Sequence, residues 1–431
     1  MGHNAPEPLS SPPSQAEWLA RARRVLPAGG FGNFDPSMVI RAGRGARVWD
    51  EDGREYVDYL IGSGPMVVGH GHPEVIEAVT EQLTRGMTFF ASNAAGIELA
   101  EELCRAMACG EQVRYVSSGG EADMYALRLA RAHTGRSKIL KFEGGYHGMS
   151  AEALMSLAPS RREAFPKPVP DSAGIPRDVE QQVLVAPFND LAFARQLLES
   201  HGHELAAVIV EPLQRLVPPQ EGFLEGLRAE TAARGIVLIF DEVVTGFRLA
   251  YGGAQAHYGV VPDVCTLGKI IGGGFPLAAI VGRAEIMAHF DKAVAGSGFT
   301  LQIGTLSGNP VAAVAGLKTL EILRRPGSYE KWRVHGQVVM DALHSHLGAR
   351  GIPHQVVGDP VLFDVVFTSE AVVDYRGTTS GDANRAQGFN RVLRQRGILK
   401  PPSKFYISLA LTEADLAHTA AAIEEAARQL V

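Results

Sequence analysis

Cysteine is nearly missing from this chain. Three thiols in 431 residues, Cys104, Cys109 and Cys265, form an odd set with no paired-ligand spacing, which excludes a disulfide framework and a cysteine-built zinc cage. Such a set fits a reducing compartment, and the cytoplasm is the expected location. Uncharged apolar runs of about 18 residues are also absent, so no membrane-spanning helix is expected. Positive charge is not in excess either. Lys and Arg number 41 against 47 Asp and Glu, and a net charge of −6 disfavours nucleic acid or an anionic membrane as partner. The opening MGHNAPEPLSSPPSQ has no basic stretch followed by an apolar run, so it does not read as a secretory signal. Residues 1–15 are expected to be a disordered lead-in. Finally, no G-x-G-x-x-G opens a helix after a strand with an acid about twenty residues on, which counts against a nucleotide-binding oxidoreductase.

What is present is an ordinary globular composition, 46% apolar and 20% charged, in a chain long enough for two or more packed subdomains. A first helix is predicted over Ala16–Val25. A hairpin is predicted over Ala46–Tyr59, with Asp52-Gly53 at its turn. From about residue 62, short apolar runs alternate with helical patterns: Val113–Val116, Lys138–Phe142, Val183–Val185, Ala206–Val210, Ile236–Phe240 and Val264–Leu267. That rhythm predicts an α/β fold with a mostly parallel sheet covered on both faces. The intervening helices are predicted at Glu98–Ala108, Glu121–Thr134, Leu191–His201 and Gly222–Ala233. After about residue 305 come two long helices (Asn309–Arg324 and Tyr329–Leu347) and a strand-like stretch, Gln355–Phe367. A helix near Ala383–Gln395, a strand Phe405–Leu411 and a final helix capped by Thr412 complete the pattern. The expected organisation is an N-terminal segment of a small domain (16–61), a large domain (62–305) and a C-terminal α+β lobe (306–431).

Ligands of open α/β sheets bind beyond the carboxyl ends of the strands, so the residues after each apolar run matter most. After Val116 comes Ser117-Ser118-Gly119-Gly120 and then a helix start, a cradle for a phosphate or a plain tight turn. Phe240 is followed by Asp241, a carboxylate that could pair with a protonated pyridine nitrogen or cap the next element. Leu267 is followed by Gly268-Lys269 and Gly272-Gly273-Gly274. A lysine against apolar strand tips has its pKa lowered and becomes nucleophilic, able to form a Schiff base with an aldehyde. Phe142 is followed by Glu143-Gly-Gly-Tyr146-His147-Gly148, where the Tyr ring could stack on a flat cofactor or simply pack. Four strand ends that each offer a different part of one site make the shared reading stronger than any one of them. His70 and His72 lack a third donor nearby and read as structural; no metal is expected.

These stretches resemble the class III PLP-dependent aminotransferases, in particular their glutamate-1-semialdehyde aminomutase-like branch. The resemblance covers roughly residues 25–430 and rests on SSGGEADMYALRLARAHTGR (117–136), FEGGYHG (142–148), FDEVVTGFR (240–248), TLGKIIGGGFP (266–276) and GTLSGNP (304–310). It implies pyridoxal 5′-phosphate (PLP) as cofactor and the fold-type-I (aspartate aminotransferase-like) architecture. Lys269 then matches the Schiff-base lysine and Asp241 the pyridine-nitrogen partner. Val243 lies under the ring, Tyr146 stacks on its other face, and Ser118, Gly119 and Gly120 form the phosphate loop. His147 and Glu211 occupy family positions around the cofactor. Thr305 matches a residue that binds phosphate across a homodimer interface. Three departures stand out. Gly120 replaces the usual Thr, Asp35 or a neighbour falls where the aminomutase carries a substrate-holding Arg, and PPSKFYISLA (401–410) has Ser403 and Lys404 where relatives carry an acid or an Arg. Candidate carboxylate anchors are therefore Arg248, Lys400 and Lys404. The leading expectation is an aminotransferase moving an amino group from an amine or amino acid to a keto or aldehyde acceptor through Lys269. The alternatives are an intramolecular glutamate-1-semialdehyde 2,1-aminomutase, a class III epimerase, or a catalytically dead binding protein.

Overall fold

A computed structural model describes residues 13–430. The first helix starts at Gln15, because Ser14 and Glu17 form a reciprocal capping box. The expected lead-in therefore loses its last two residues to that helix and its cap, while residues 1–12 lie outside the described span. Strands β1 (Ile40–Arg44), β2 (Arg47–Asp50) and β3 (Glu55–Asp58) follow. The β2–β3 hairpin forms as predicted, with Gly53 at φ +82° in its turn.

Seven strands then build the main sheet: β4 (Gln112–Val116), β5 (Lys138–Phe142), β6 (Val183–Ala186), β7 (Leu205–Val210), β8 (Val237–Asp241), β9 (Val264–Leu267) and β10 (Ala278–Gly282). Their order is β4-β10-β9-β8-β7-β5-β6. All six predicted runs are strands, and β5 to β9 pair in parallel. β10 is not among the expected strands; it runs antiparallel between β4 and β9. Every residue of β7, β8 and β10 is buried, which explains why these strands read as continuous apolar runs. Burial of a side chain such as Ile209 or Phe240 contributes roughly 1.5–3 kcal/mol, so a charge at either position would break the sheet's core. Helix Gly119–Thr134 lies against this sheet, burying Ala122, Ala126, Leu129 and Ala130.

Beyond residue 305, the two long helices span Pro310–Leu323 and Ser328–Gly348. The stretch expected as one strand, 355–367, is two: β11 (Gln355–Asp359) and β12 (Leu362–Val366), paired antiparallel around Pro360-Val361. Strands β13 (Ile398–Leu399) and β14 (Phe405–Tyr406) are short. The strand expected over 405–411 thus ends at Tyr406, since Leu409 N–H donates to the Val67 carbonyl at 2.9 Å and pulls the chain out of the ladder. β13 pairs in parallel with β3, completing a four-stranded sheet in the order β1-β2-β3-β13. Among the described residues no helix is long and apolar enough to cross a membrane.

Candidate active site

The carboxyl ends of β4, β5, β7, β8 and β9 converge on one cavity of about 720 Å³. Ser118, Gly119, Gly120, Tyr146, Glu211, Asp241, Val243 and Lys269 all line it. At the β4 end, Ser118 caps helix Gly119–Thr134, its hydroxyl accepting from Glu121 N–H at 3.3 Å while the Glu121 carboxylate accepts from Ser117 and Ser118 amides. The Gly119 and Gly120 amides, at the first two helical positions, have no intrahelical acceptor and carry the positive end of the dipole. The backbone here is a close-fitting cradle. A Cβ on Gly119 would meet Val243 Cγ1 at 2.8 Å, and one on Gly148 would meet Gly120 Cα at 2.3 Å.

At the β8 end, the buried Asp241 carboxylate accepts from Val243 N–H at 3.1 Å and pairs with His147 Nδ1 at 2.8 Å. Both bonds fix its orientation, and His147 is held outside the cavity lining as the partner behind Asp241. Beside them lies Asp123, which sequence reasoning missed. Its Oδ1 accepts from Thr266 Oγ1 at 2.6 Å, and burial followed by the Asp241 charge pushes its carboxyl well above the usual range. Ligand atoms of Asp123, His147 and Asp241 lie within 4.8 Å of one another, and the hydrogen bonds of Thr266 and His147 account for this grouping without an ion.

Lys269 follows β9 with φ +49°, a left-handed conformation that costs a non-glycine residue roughly 1–3 kcal/mol. Burial, aided by the charges of Lys404 and Arg248, holds its ammonium pKa below the usual value against the pull of Tyr406 and Asp241. The amine is therefore more often neutral and nucleophilic than a surface lysine. Burial would raise Tyr406, yet Lys404, Lys269 and Arg248 hold its hydroxyl below the ordinary range. At the β5 end, Tyr146 lines the cavity and stays 39% exposed, and Glu211 Oε2 accepts from the Tyr146 amide at 2.8 Å. Behind this turn the buried Lys141 ammonium donates to the carbonyls of Gly145, Ala153 and Met155, and burial brings its pKa down to about 7.

Besides His147, four expected residues lie outside the cavity. Arg248 is fully buried and turns back on its own chain, donating to the Val244 carbonyl at 2.8 Å and to Gly64, with its cation against Trp332 and Tyr406. Lys400 is locked to Asp364 at 3.0 Å and Asn390 at 2.9 Å. Neither lines the cavity, and each already bonds partners within the chain. Thr305 is exposed and away from this cavity. Lys404 lines an adjoining cavity of about 480 Å³, together with Arg215. Arg215 was missed, although the strand-end argument applied to β7 points straight at the Glu211-Pro-Leu-Gln-Arg215 segment that follows it. His70 bonds Asp58 at 2.7 Å and its backbone bridges Gly45, a structural role. The three cysteines are free.

The donor set fits PLP. It offers an amine of lowered pKa for an aldehyde, a fixed carboxylate for a ring nitrogen, an open aromatic face and two helix-start amides without intrahelical acceptors for a phosphate. Residues 32–426 match the family described as Aminotransferase class-III. The chain belongs to that family. Among class III relatives, the "Glutamate-1-semialdehyde 2,1-aminomutase 2" of Brevibacillus brevis is 42% identical over 398 residues, covering 91% of each chain. An omega-transaminase structure from Sphaerobacter thermophilus superposes with TM-score 0.92 at 37% identity, covering 97% of this chain and 98% of that one. A solved transaminase with PLP bound gives TM-score 0.88 at 31% identity, covering 96% and 97%. The fold is the α/β fold type I of PLP enzymes, the cofactor is PLP, and the chain is an enzyme of the transaminase and aminomutase kind.

Proposed function

We propose that this class III enzyme moves an amino group on a small amine or amino acid, with Lys269 as the residue that bonds PLP and carries the proton. The observation behind this reading is the meeting of a depressed lysine amine and a doubly anchored aspartate in one cavity. PLP, when bound, supplies an electron sink that stabilises negative charge at the substrate carbon. Asp241 would keep the ring nitrogen protonated, and His147 with the Val243 amide holds that carboxylate in place. Val243 and Tyr146 would pack against the ring, and Glu211 fixes the Tyr146 backbone. Ser118, Gly119 and Gly120 hold the phosphate. Lys269 Nζ would bond the cofactor's aldehyde and, freed by the incoming amine, would hold and return the proton of the substrate carbon.

Two forms of this chemistry remain distinct by experiment. The intramolecular exchange of a glutamate-1-semialdehyde aminomutase is supported by the name and 42% identity of the Brevibacillus relative. Intermolecular transfer is supported by the likeness to the omega-transaminase and by Asp35 or a neighbour standing where the aminomutase pattern has a substrate-holding Arg, with Asp35 paired to Arg394. Turnover of glutamate semialdehyde with no amino acceptor present marks the first; strict dependence on a keto or aldehyde acceptor marks the second.

The reading extends to a homodimer in which Thr305 reaches the phosphate of the partner copy. Exposed Phe90, Ile303 and Leu306 support it: Phe90 and Ile303 line one surface cavity with Gly304, next to Thr305 in the sequence, and a second copy would cover them. Residues 62–305 are taken as the PLP domain and the remainder as the smaller part, and the cytoplasm as the location. The deciding experiment is borohydride reduction in the presence of PLP, followed by digestion. The label is expected in the peptide Thr266–Pro276, and Lys269→Ala is expected to remove labelling, visible absorbance and activity together. Label at any other lysine overturns the reading.

A further inference from the structure

The β7 end carries a second feature that the cofactor site does not use. Val217 N–H donates to the Gln214 carbonyl at 2.8 Å, closing a four-residue turn whose central residues, Arg215 (φ +50°) and Leu216 (φ +78°), are both left-handed. Gly and Asn normally fill such positions. A branched apolar residue and a long cation there are held by their surroundings. Gln214 Nε2 donates to the Glu143 carbonyl at 2.9 Å, and Arg215 Nε donates to the Gly144 carbonyl at 2.7 Å. The guanidinium is thus tethered by one nitrogen to the turn that bears Tyr146, and its carbon stands 5.7 Å from the Tyr146 ring centre.

The remaining face of Arg215 opens on the 480 Å³ cavity that it shares with Lys404. Two acids also line that cavity, and both are engaged. Asp364 pairs with Lys400 at 3.0 Å, and Asp382 accepts from the Arg385 amide at 2.9 Å as a helix cap. The two cations are not engaged by acids; among the described residues, Arg215 bonds only a carbonyl and Lys404 stands 5.7 Å from the Tyr406 ring. The cavity therefore presents unneutralised positive charge next to the one that holds Lys269. The two spaces are linked by Tyr146, which lines the first and stacks with Arg215, and by Lys404, whose charge is felt at Lys269.

We propose that Arg215, assisted by Lys404, binds the acid group of the substrate, so that the enzyme prefers amines bearing a carboxylate remote from the reacting carbon, such as β- or γ-amino acids. A planar guanidinium with one edge fixed and the other open matches a carboxylate bidentately, which a lysine alone does not. This assignment rests on the amino-transfer reading for the position of the reacting amine, but not for the binding of the acid. It also replaces the two arginine anchors that the sequence lacks.

The test pairs two substrates with the same reacting centre, 3-aminobutyrate and 2-aminobutane, on the PLP-loaded enzyme. Arg215→Gln is expected to lower the ratio of their kcat/KM values roughly 10- to 100-fold, mostly through KM for the acid, with Arg215→Lys partly restoring it. Calorimetric titration of butyrate against butyramide gives a readout independent of turnover, and Arg215→Gln is expected to weaken butyrate alone by a similar factor. Equal losses on both substrates, or unchanged butyrate affinity, overturn the proposal. Butyrate binding that depends on Arg215 in a protein that turns over neither amine would leave this site standing and sink the amino-transfer reading instead.

Discussion

At the scale of single residues, the site was legible wherever a side chain's role follows from its place on a strand end. Lys269, Asp241, Tyr146 and the Ser118–Gly120 segment could be found that way, because the fold delivers them to one cavity regardless of distant pairings. The partners of Arg248 and Lys400, which do not line the cavity, were not legible for the opposite reason. Nothing local in FDEVVTGFR says that the guanidinium turns back on the Val244 carbonyl, and nothing near Lys400 names Asp364 as its partner. Asp123 was hidden because a carboxylate inside a helix ordinarily faces water, whereas this one faces the sheet and Thr266. A prediction at this scale concerns Lys404. Its charge lowers the Lys269 pKa, so Lys404→Gln must raise it. The pH at which the apo-protein takes up PLP half-maximally is expected to move to the alkaline side, because only the neutral amine attacks the aldehyde. A titration midpoint that stays put or moves to lower pH would show that Lys404 does not act on Lys269.

At the scale of elements, helices and parallel strands were readable because their burial is uniform over whole runs. The failures have local causes. β10 is a five-residue run rich in Ala and Gly, following a triple glycine, with no polar alternation to mark it as antiparallel. The β11–β12 hairpin looked like one strand because Val361, at its turn, is as buried as the strand residues around it. Helix Pro73–Arg85 went unassigned because its start lacks a side-chain cap. Two elements meet at the cofactor cradle, where the Gly148 turn presses on the helix start at Gly120. With φ +82° and only 2.3 Å to Gly120 Cα, an added methyl cannot be accommodated without shifting the amides that face the cavity. Gly148→Ala is expected to weaken PLP binding by roughly tenfold or more, read by fluorescence titration of the apo-protein, while the far-ultraviolet circular dichroism of the fold is retained. Unaltered PLP affinity would mean that the cradle tolerates rearrangement.

At the scale of the whole molecule, exposed Ile303 and Leu306 flank Thr305 in the sequence, where the proposed second copy would cover them. Ile303→Glu is expected to convert a dimer to monomers in sedimentation velocity and to weaken PLP retention, since Thr305 would lose its partner. A wild-type protein that sediments as a monomer would remove the shared-site proposal altogether. The larger geometry also joins the chain's two ends. Val57 in β3 takes its neighbour, Ile398 of β13, from about 340 positions further along. During synthesis at roughly 5–20 residues per second, that neighbour emerges about 20 to 70 s after β3 does. For that interval the nascent N-terminal hairpin waits with an unpaired edge on the ribosome, and a polypeptide stopped short of residue 398 would expose the same edge permanently to chaperones and proteases.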